Sequence, residues 1–225
     1  MSIYVEAWGD YACFSRPELS VERVSYSIIT PSAARGLIEG IYWHPGLMYH
    51  IDRIYLLAPM GRVLKEGEEP IRFTSIRRNE VKAKLSKSAA LSAMNSGSPI
   101  ALYTSSEIQQ RASLVLQDVH YVIEAHFDMT DKAAPSDNPG KFQDNIKRRL
   151  ERGRCYHMPY FGCREFPAHF RRWQGGEIPT VKYSADLGYM LYDMDYSDPK
   201  DIRPMFFHAK LVNGVLDLQN CEVVS

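Results

Sequence analysis

LVLQDVHYVIEAHFDMTDKAAPSDNPGKFQDNIKRRLERG, residues 114–153, reads as a strand, a loop and a capped helix in succession, and it sets the class of fold. Val119, Tyr121, Ile123, Ala125 and Phe127 alternate with His120, Glu124, His126 and Asp128, the period of two expected of a strand with one apolar face. After a loop over 130–137, Asn138 is placed to cap a helix and Pro139 to be its first residue, where a missing N–H costs nothing. Phe142, Ile146 and Leu150 form that helix's apolar stripe, while Lys141, Asn145, Arg148 and Arg152 share another face and Gly153 ends it.

Working outward, residues 2–9 alternate Ile3, Val5 and Ala7 against Tyr4, Glu6 and Trp8, a strand at the start. Thr30-Pro31 opens a first helix whose Ala34, Leu37, Ile38 and Ile41 fall on one face; Pro45-Gly46 closes it and leaves Tyr42, Trp43 and His44 at its C-terminal end. Strands follow at about 47–57 and 71–78, and the Ser/Ala-rich stretch 86–106 reads as a mobile loop or insertion. A further strand is expected near Tyr160–Phe166, and after Gln174-Gly175-Gly176 the segment 183–192 is a loop or strand. The runs 206–212 and 215–218 flank Asn213-Gly214, a strong hairpin signal. This order predicts an α+β chain: a ferredoxin-like (RRM-like) domain with an inserted β element over residues 1–172, then a small antiparallel β extension over 173–225.

The formal net charge is zero, but it is segregated. From Asp137 to Arg172 nine Lys or Arg residues face four acids, with Phe142, Tyr156, Tyr160, Phe161, Phe166 and Phe170 interleaved. Residues 71–87 hold six bases and one acid, whereas 173–225 hold eight acids and four bases. Cationic side chains neutralise phosphates and aromatic faces stack on unpaired bases, so the mixture suits folded or single-stranded RNA bound on one cationic face. Arg77, Arg78, Lys82, Lys84, Arg148, Arg149 and Arg152 are the candidate RNA-binding residues.

With no apolar run of 18 or more residues and no signal-like region in MSIYVEAWGD, a cytoplasmic protein without a membrane partner is expected. Cys13, Cys155, Cys163 and Cys221 contain no C-x-x-C pair and are expected to be free thiols. Cys155, His157, Cys163 and His169 follow a C-x-H-x5-C-x5-H spacing unlike the usual structural zinc patterns, and His120, Glu124 and His126 share a strand face more in the manner of polar sheet residues than of ligands. No metal and no cofactor are expected. Neither a Walker phosphate loop, a nucleophile elbow nor a paired-carboxylate cluster stands out, which disfavours serine hydrolases and two-metal nucleases.

The start of the second helix is the best candidate for chemistry. Its free N–H groups and positive dipole end favour a phosphate, and Lys141 adds a full charge where a phosphorane would build negative charge. Tyr42, ending the first helix, would approach it if both helices pack on one sheet face; beside a lysine, its phenol would ionise more readily or would hydrogen-bond a ribose or phosphate.

Taken together, VEAWGDYACFSRPE (5–18), SYSIITPSAARGLIEGIYWHP (25–45), FTSIRRNEV (73–81), QQRASLVLQDVHYVIEAHF (109–127) and NPGKFQDNIKRRLERGRCYHMPYFGCREF (138–166) give a chain that resembles the fifth family of CRISPR-associated proteins, in its type I-C variety. The resemblance implies metal-independent cleavage of precursor CRISPR RNA within each repeat stem-loop, by 2′-OH attack leaving a 2′,3′-cyclic phosphate. It further implies that the product stays bound by its 5′ handle as the protein joins the other subunits of a surveillance complex. The family's active site is a tyrosine after the first helix and a Lys-His pair opening the second. Tyr42 and Lys141 match two of these positions; Phe142 stands at the third, where it cannot transfer a proton, and His44 or His157 is the candidate substitute. The competing expectations are a non-catalytic scaffold that only grips the 5′ handle, and a general RNA-binding module.

Overall fold

Alternation at the N-terminus becomes β1 (Ile3–Ala12), which ends three residues beyond its pattern. The computed structural model describes residues 2–19, 21–65, 67–81, 85–100, 103–198 and 200–224. After β1 come β2 (Arg23–Val24), α1 (Pro31–Ile41), β3 (Leu47–Leu56), β4 (Arg72–Val81), α2 (Lys87–Ser96), α3 (Thr104–Glu107) and β5 (Ile108–Met129). The remainder is α4 (Pro139–Arg152), β6 (His169–Arg172), β7 (Ala185–Asp195), β8 (Arg203–Val212), β9 (Val215–Asp217) and β10 (Val223–Val224). Among the described residues these strands form one largely antiparallel sheet, in the order β10-β8-β9-β3-β5-β1-β6, with β2 and β4 added to β5 and β7 to β8. No described helix is long and apolar enough to cross a membrane.

β5 is the axis of this sheet. Its 22 residues begin before the expected start at Leu114. Asp118, at φ 52°, divides it: the preceding half pairs with β4 and the following half with β3. Arg72 of β4 pairs with the Asp118 carboxylate. The face read as polar is in fact half-covered by its own partners, because His120 and Glu124 are both buried. His120 and Arg171 hold the Glu6 carboxylate, His120 Nε2 at 2.9 Å and Arg171 Nε at 2.6 Å. Burial alone would push the Glu6 carboxyl up, yet these two partners hold it below the usual carboxylate range.

The two expected helices, α1 and α4, begin as their caps foretold. Thr30 Oγ1 accepts from the Ala33 N–H at 3.2 Å, and Asn138 Oδ1 from the Lys141 N–H at 2.9 Å. Both pack on the same face of the sheet. Phe127 of β5 lies against Tyr49 of β3 and Phe142 of α4, with ring centroids 6.3 Å apart in each case, and the Tyr49 hydroxyl donates to the Tyr42 carbonyl at 2.8 Å. Phe142 has no exposed surface. Phe142→Ala is therefore expected to cost about 3–5 kcal/mol, read as a lower urea midpoint at unchanged slope.

Two expectations need correction. The stretch 86–106, read as a loop, contains α2: Ser86 Oγ accepts from the Ala89 N–H at 3.1 Å, and Gly97 at φ +68° closes the helix. It escapes a hydropathy reading because none of its residues is buried, while its alanines carry strong intrinsic helix preference. Residues 160–166 are a turn rather than a strand, closed by the Phe161 N–H on the Phe166 carbonyl at 2.8 Å, and the strand comes later as β6 against β1. Gly162 explains the turn: its φ is +77°, and a Cβ there would lie 2.0 Å from the Cys13 carbonyl oxygen. In the last 53 residues, Asn213 (φ 49°) and Gly214 (φ 75°) make the expected hairpin turn, and β9 docks on β3.

Candidate active site

Helix α1 ends at Ile41, so Tyr42 is its C-cap in extended conformation and Trp43 and His44 lie in the connection to β3. That connection runs beside the first turns of α4. The Tyr42 ring is 6.4 Å and the His44 ring 4.9 Å from the ring of Phe142, the residue after Lys141. The three candidate catalytic residues are thus gathered around the N-terminal end of one helix. Phe142 serves as the apolar floor beneath them.

Asp137 is the hub of this group, and sequence reasoning had given it no role. Its side chain is 3% exposed; Oδ1 accepts from Lys141 Nζ at 2.7 Å, and Oδ2 lies 3.8 Å from His44 Nε2 and accepts from the Ala134 N–H at 2.9 Å. The Lys141 bond, aided by that backbone N–H, holds the Asp137 carboxyl below its ordinary value. Stability from a lowered carboxyl is fully present above the unfolded value, around pH 4, and is lost as pH falls through the lower folded value. Asp137→Asn should accordingly remove part of the acid sensitivity of unfolding below about pH 4, measured by denaturant midpoints across pH. The i, i+4 spacing of Asp137 and Lys141, one residue ahead of the cap, is the signal that could have found it.

His44 is fixed in one tautomer. Its Nδ1 accepts the Gly46 N–H at 3.0 Å, which leaves the ring proton on Nε2, facing Asp137. Contrary to the expectation of a tyrosine beside a lysine, the Lys141 ammonium turns to Asp137, and Tyr42 Oη instead accepts from Asn145 Nδ2 at 3.3 Å. Asn145 also accepts from Arg148 through its Oδ1. The Arg149 guanidinium lies over the Tyr42 ring, 5.1 Å from its centroid, and donates to the Ile41 carbonyl at 3.2 Å, so this residue fastens α1 to α4. His157 sits apart from the Asp137 group. Its backbone N–H donates to the Gly40 carbonyl at 2.9 Å, and its side chain lines a cleft of about 1160 Å³ along α1, together with Trp43, Tyr156 and Tyr160.

The basic candidates fall into two groups. Arg148 and Arg152 are exposed on α4, Arg148 bonded to Asn145 and Arg152 at the helix's far end. Arg77 and Arg78 lie on β4, alongside the other half of β5; Arg77 is exposed, and Arg78 is 3.6 Å from Glu80. Lys82 and Lys84 lie outside the described residues. All four cysteines are free. The C-x-H-x5-C-x5-H residues are not gathered: Cys163 accepts from Arg23 Nη1 at 3.3 Å, while His169 stacks on Trp8.

Residues 2–219 match the family described as "CRISPR-associated protein (Cas_Cas5)". A protein of Mannheimia succiniciproducens named "CRISPR pre-crRNA endoribonuclease Cas5d" is 46% identical, over 96% of this chain and 94% of its own length. A Thermus thermophilus protein of the same name is 38% identical, over 95% and 90%. The solved structure titled "Crystal Structure of CRISPR-associated Protein" has a similar fold, with a TM-score of 0.67 at 18% identity, covering 100% of this chain and 97% of the other. By the extent of these matches, the chain belongs to the Cas5d branch of the Cas5 family of CRISPR-associated proteins.

Proposed function

We propose that this protein is a metal-independent endoribonuclease that cuts precursor CRISPR RNA within its repeat and keeps the 5′ handle of the product as a subunit of a type I-C surveillance complex. The observation that carries the reading is the group at the N-terminus of α4, where Asp137 meets the Lys141 ammonium and the His44 imidazole, with the Tyr42 phenol held by Asn145 of the same helix. The names of the two relatives, both pre-crRNA endoribonucleases, support it. The strand order β6-β1-β5-β3, antiparallel throughout, supports reading residues 1–172 as a ferredoxin-like catalytic domain and 173–225 as a β extension.

In this mechanism the ribose 2′-oxygen attacks the adjacent phosphorus, the bond from phosphorus to the 5′-oxygen breaks, and the products are a 2′,3′-cyclic phosphate and a 5′-hydroxyl. The 2′-OH proton passes to solvent water, and the departing 5′-oxygen takes one proton from solvent. Lys141 and the α4 N-terminus stabilise charge on the non-bridging oxygens. The His44 Nε2–H hydrogen-bonds the departing 5′-oxygen, and the Tyr42 hydroxyl, oriented by Asn145, binds the ribose side. Asp137 is a positioning residue for both Lys141 and His44. Arg148, Arg152, Arg77 and Arg78 contact the RNA backbone, each as one of several weak electrostatic contributions.

The test is incubation of an end-labelled repeat stem-loop with purified protein, with and without EDTA, followed by mapping of product ends. Equal cutting in both conditions, with cyclic phosphate ends, is the expected result. Protein that binds the repeat but leaves it intact at high excess would instead identify a non-catalytic 5′-handle scaffold, the reading that Phe142 favours. Loss of cutting in EDTA would reject the metal-independent mechanism.

A further inference from the structure

On the sheet face opposite α1 and α4, β3 and β5 set His50 directly across from His126. Their rings are nearly parallel, 5.0 Å apart and 20° between planes. His50 Nε2 lies 3.3 Å from an oxygen of Asp128, two residues along β5 from His126. One donor atom from each of His50, His126 and Asp128 lies within 4.8 Å of the other two, and among the described residues no other set of His, Cys, Asp or Glu converges in this way. A tetrahedral zinc ion with bonds of about 2.0–2.2 Å spaces its donor atoms by about 3.3–3.5 Å. The His50–Asp128 edge is already at that length, and small rotamer adjustments close the others.

The carboxylate behind His126 makes this more than a chance meeting of side chains. Asp52, only 11% exposed, accepts from His126 Nδ1 through both oxygens, at 2.9 and 3.0 Å. A carboxylate can only accept, so the proton sits on Nδ1 and the Nε2 lone pair is left unprotonated. A carboxylate behind a histidine is the usual way a metal ligand is oriented and made more basic. His50, His126 and Asp128 are open enough to solvent for an ion to enter, with side-chain exposures of 41%, 39% and 71%.

We propose that His50, His126 and Asp128 bind one first-row transition dication, with zinc as the best chemical fit, water as fourth ligand and Asp52 as the orienting group. Such an ion takes no part in RNA cleavage. It clamps β3 to β5 where the chain leaves them for the loops that carry His44 and Asp137, loops already joined by the Thr130 N–H to the Gly46 carbonyl at 3.1 Å and by Thr130 Oγ1 to the Pro45 carbonyl at 2.7 Å. Of His120, Glu124 and His126, weighed together as a ligand set from the sequence, His126 alone belongs to the site. His120 is engaged with Glu6, and Glu124 accepts from Tyr4 and Tyr55.

Tag-free protein, stripped with EDTA and exchanged into metal-free buffer, is titrated with cobalt(II) and then with zinc. The expected result is one equivalent of cobalt with the intense visible bands of a tetrahedral ion, displaced by zinc, together with a higher Tm. His50→Ala and His126→Ala, with unchanged circular dichroism, should lose the bands. Asp52→Asn should weaken binding about 10–100-fold. Cys155→Ser and Cys163→Ser should retain full binding. Absence of tetrahedral bands in the wild-type protein, their persistence in both histidine variants, or their loss in a cysteine variant overturns the proposal and leaves these residues as plain ion pairs.

Discussion

His44→Ala is expected to slow repeat cleavage by about 10²–10³-fold in single-turnover assays while leaving RNA affinity nearly unchanged, the range for loss of one preorganised hydrogen-bond donor. The size of the effect follows from how tightly the imidazole is set. Its Nδ1 is committed to the Gly46 N–H, its ring rests against Phe142, and its remaining proton points into the Asp137 group. Because Nδ1 already accepts a hydrogen bond, the ring acts as a hydrogen-bond donor from Nε2 and not as a base there. An unchanged rate in His44→Ala would move the donor elsewhere, with His157 in the neighbouring cleft the next residue to replace.

The second large effect concerns Lys141. Removing the ammonium by Lys141→Ala should lower the rate about 10²–10³-fold, the cost of losing one preorganised stabiliser of developing charge. The same change strips Asp137 of its 2.7 Å partner, so part of any loss could come from a displaced carboxylate. Asp137→Asn separates the two: it keeps the cation but frees it, and misplacement of a catalytic group by an ångström costs up to about 10². A Lys141→Ala rate no lower than that of Asp137→Asn would assign Lys141 a positioning role only. Full activity of both Lys141→Ala and Tyr42→Phe in EDTA, with cut sites unchanged, would reject the active-site assignment altogether.

How far the sequence could be read depends on where its signals came from. Both helices that bear the site were legible because their starts are chemically marked, Thr30-Pro31 and Asn138-Pro139, and because each has one apolar stripe that the sheet then buries. The turn at Asn213-Gly214 was legible for a similar reason, since few other pairs accept two positive φ angles. By contrast α2 buries nothing, so no periodicity announces it. The first six residues of β5 were missed because they are supported by pairing with β4, a long-range contact with no local signature. Within the site, Tyr42, His44 and Lys141 could be named, but the Asp137 carboxylate that organises them could not be told from any solvated acid. Arg149 was read as an RNA contact by its charge. In the folded chain it stacks on Tyr42 and bonds the end of α1, a use that depends on helix packing.

The length of β5 carries a mechanical consequence. At roughly 3.3 Å per residue its 22 residues make a rod of about 70 Å contour, laced to neighbours on either side along most of its course. Asp118 interrupts it near the middle, so the two halves are braced separately, one by β4 and the other by β3. Evolution or engineering could therefore trim or lengthen the outer tip that joins β4 to β5 and change only the reach of the molecule. Removing one residue between Val119 and Met129 is a different matter, since every later side chain would swap faces and the whole reaction centre would be dealt a new hand of neighbours.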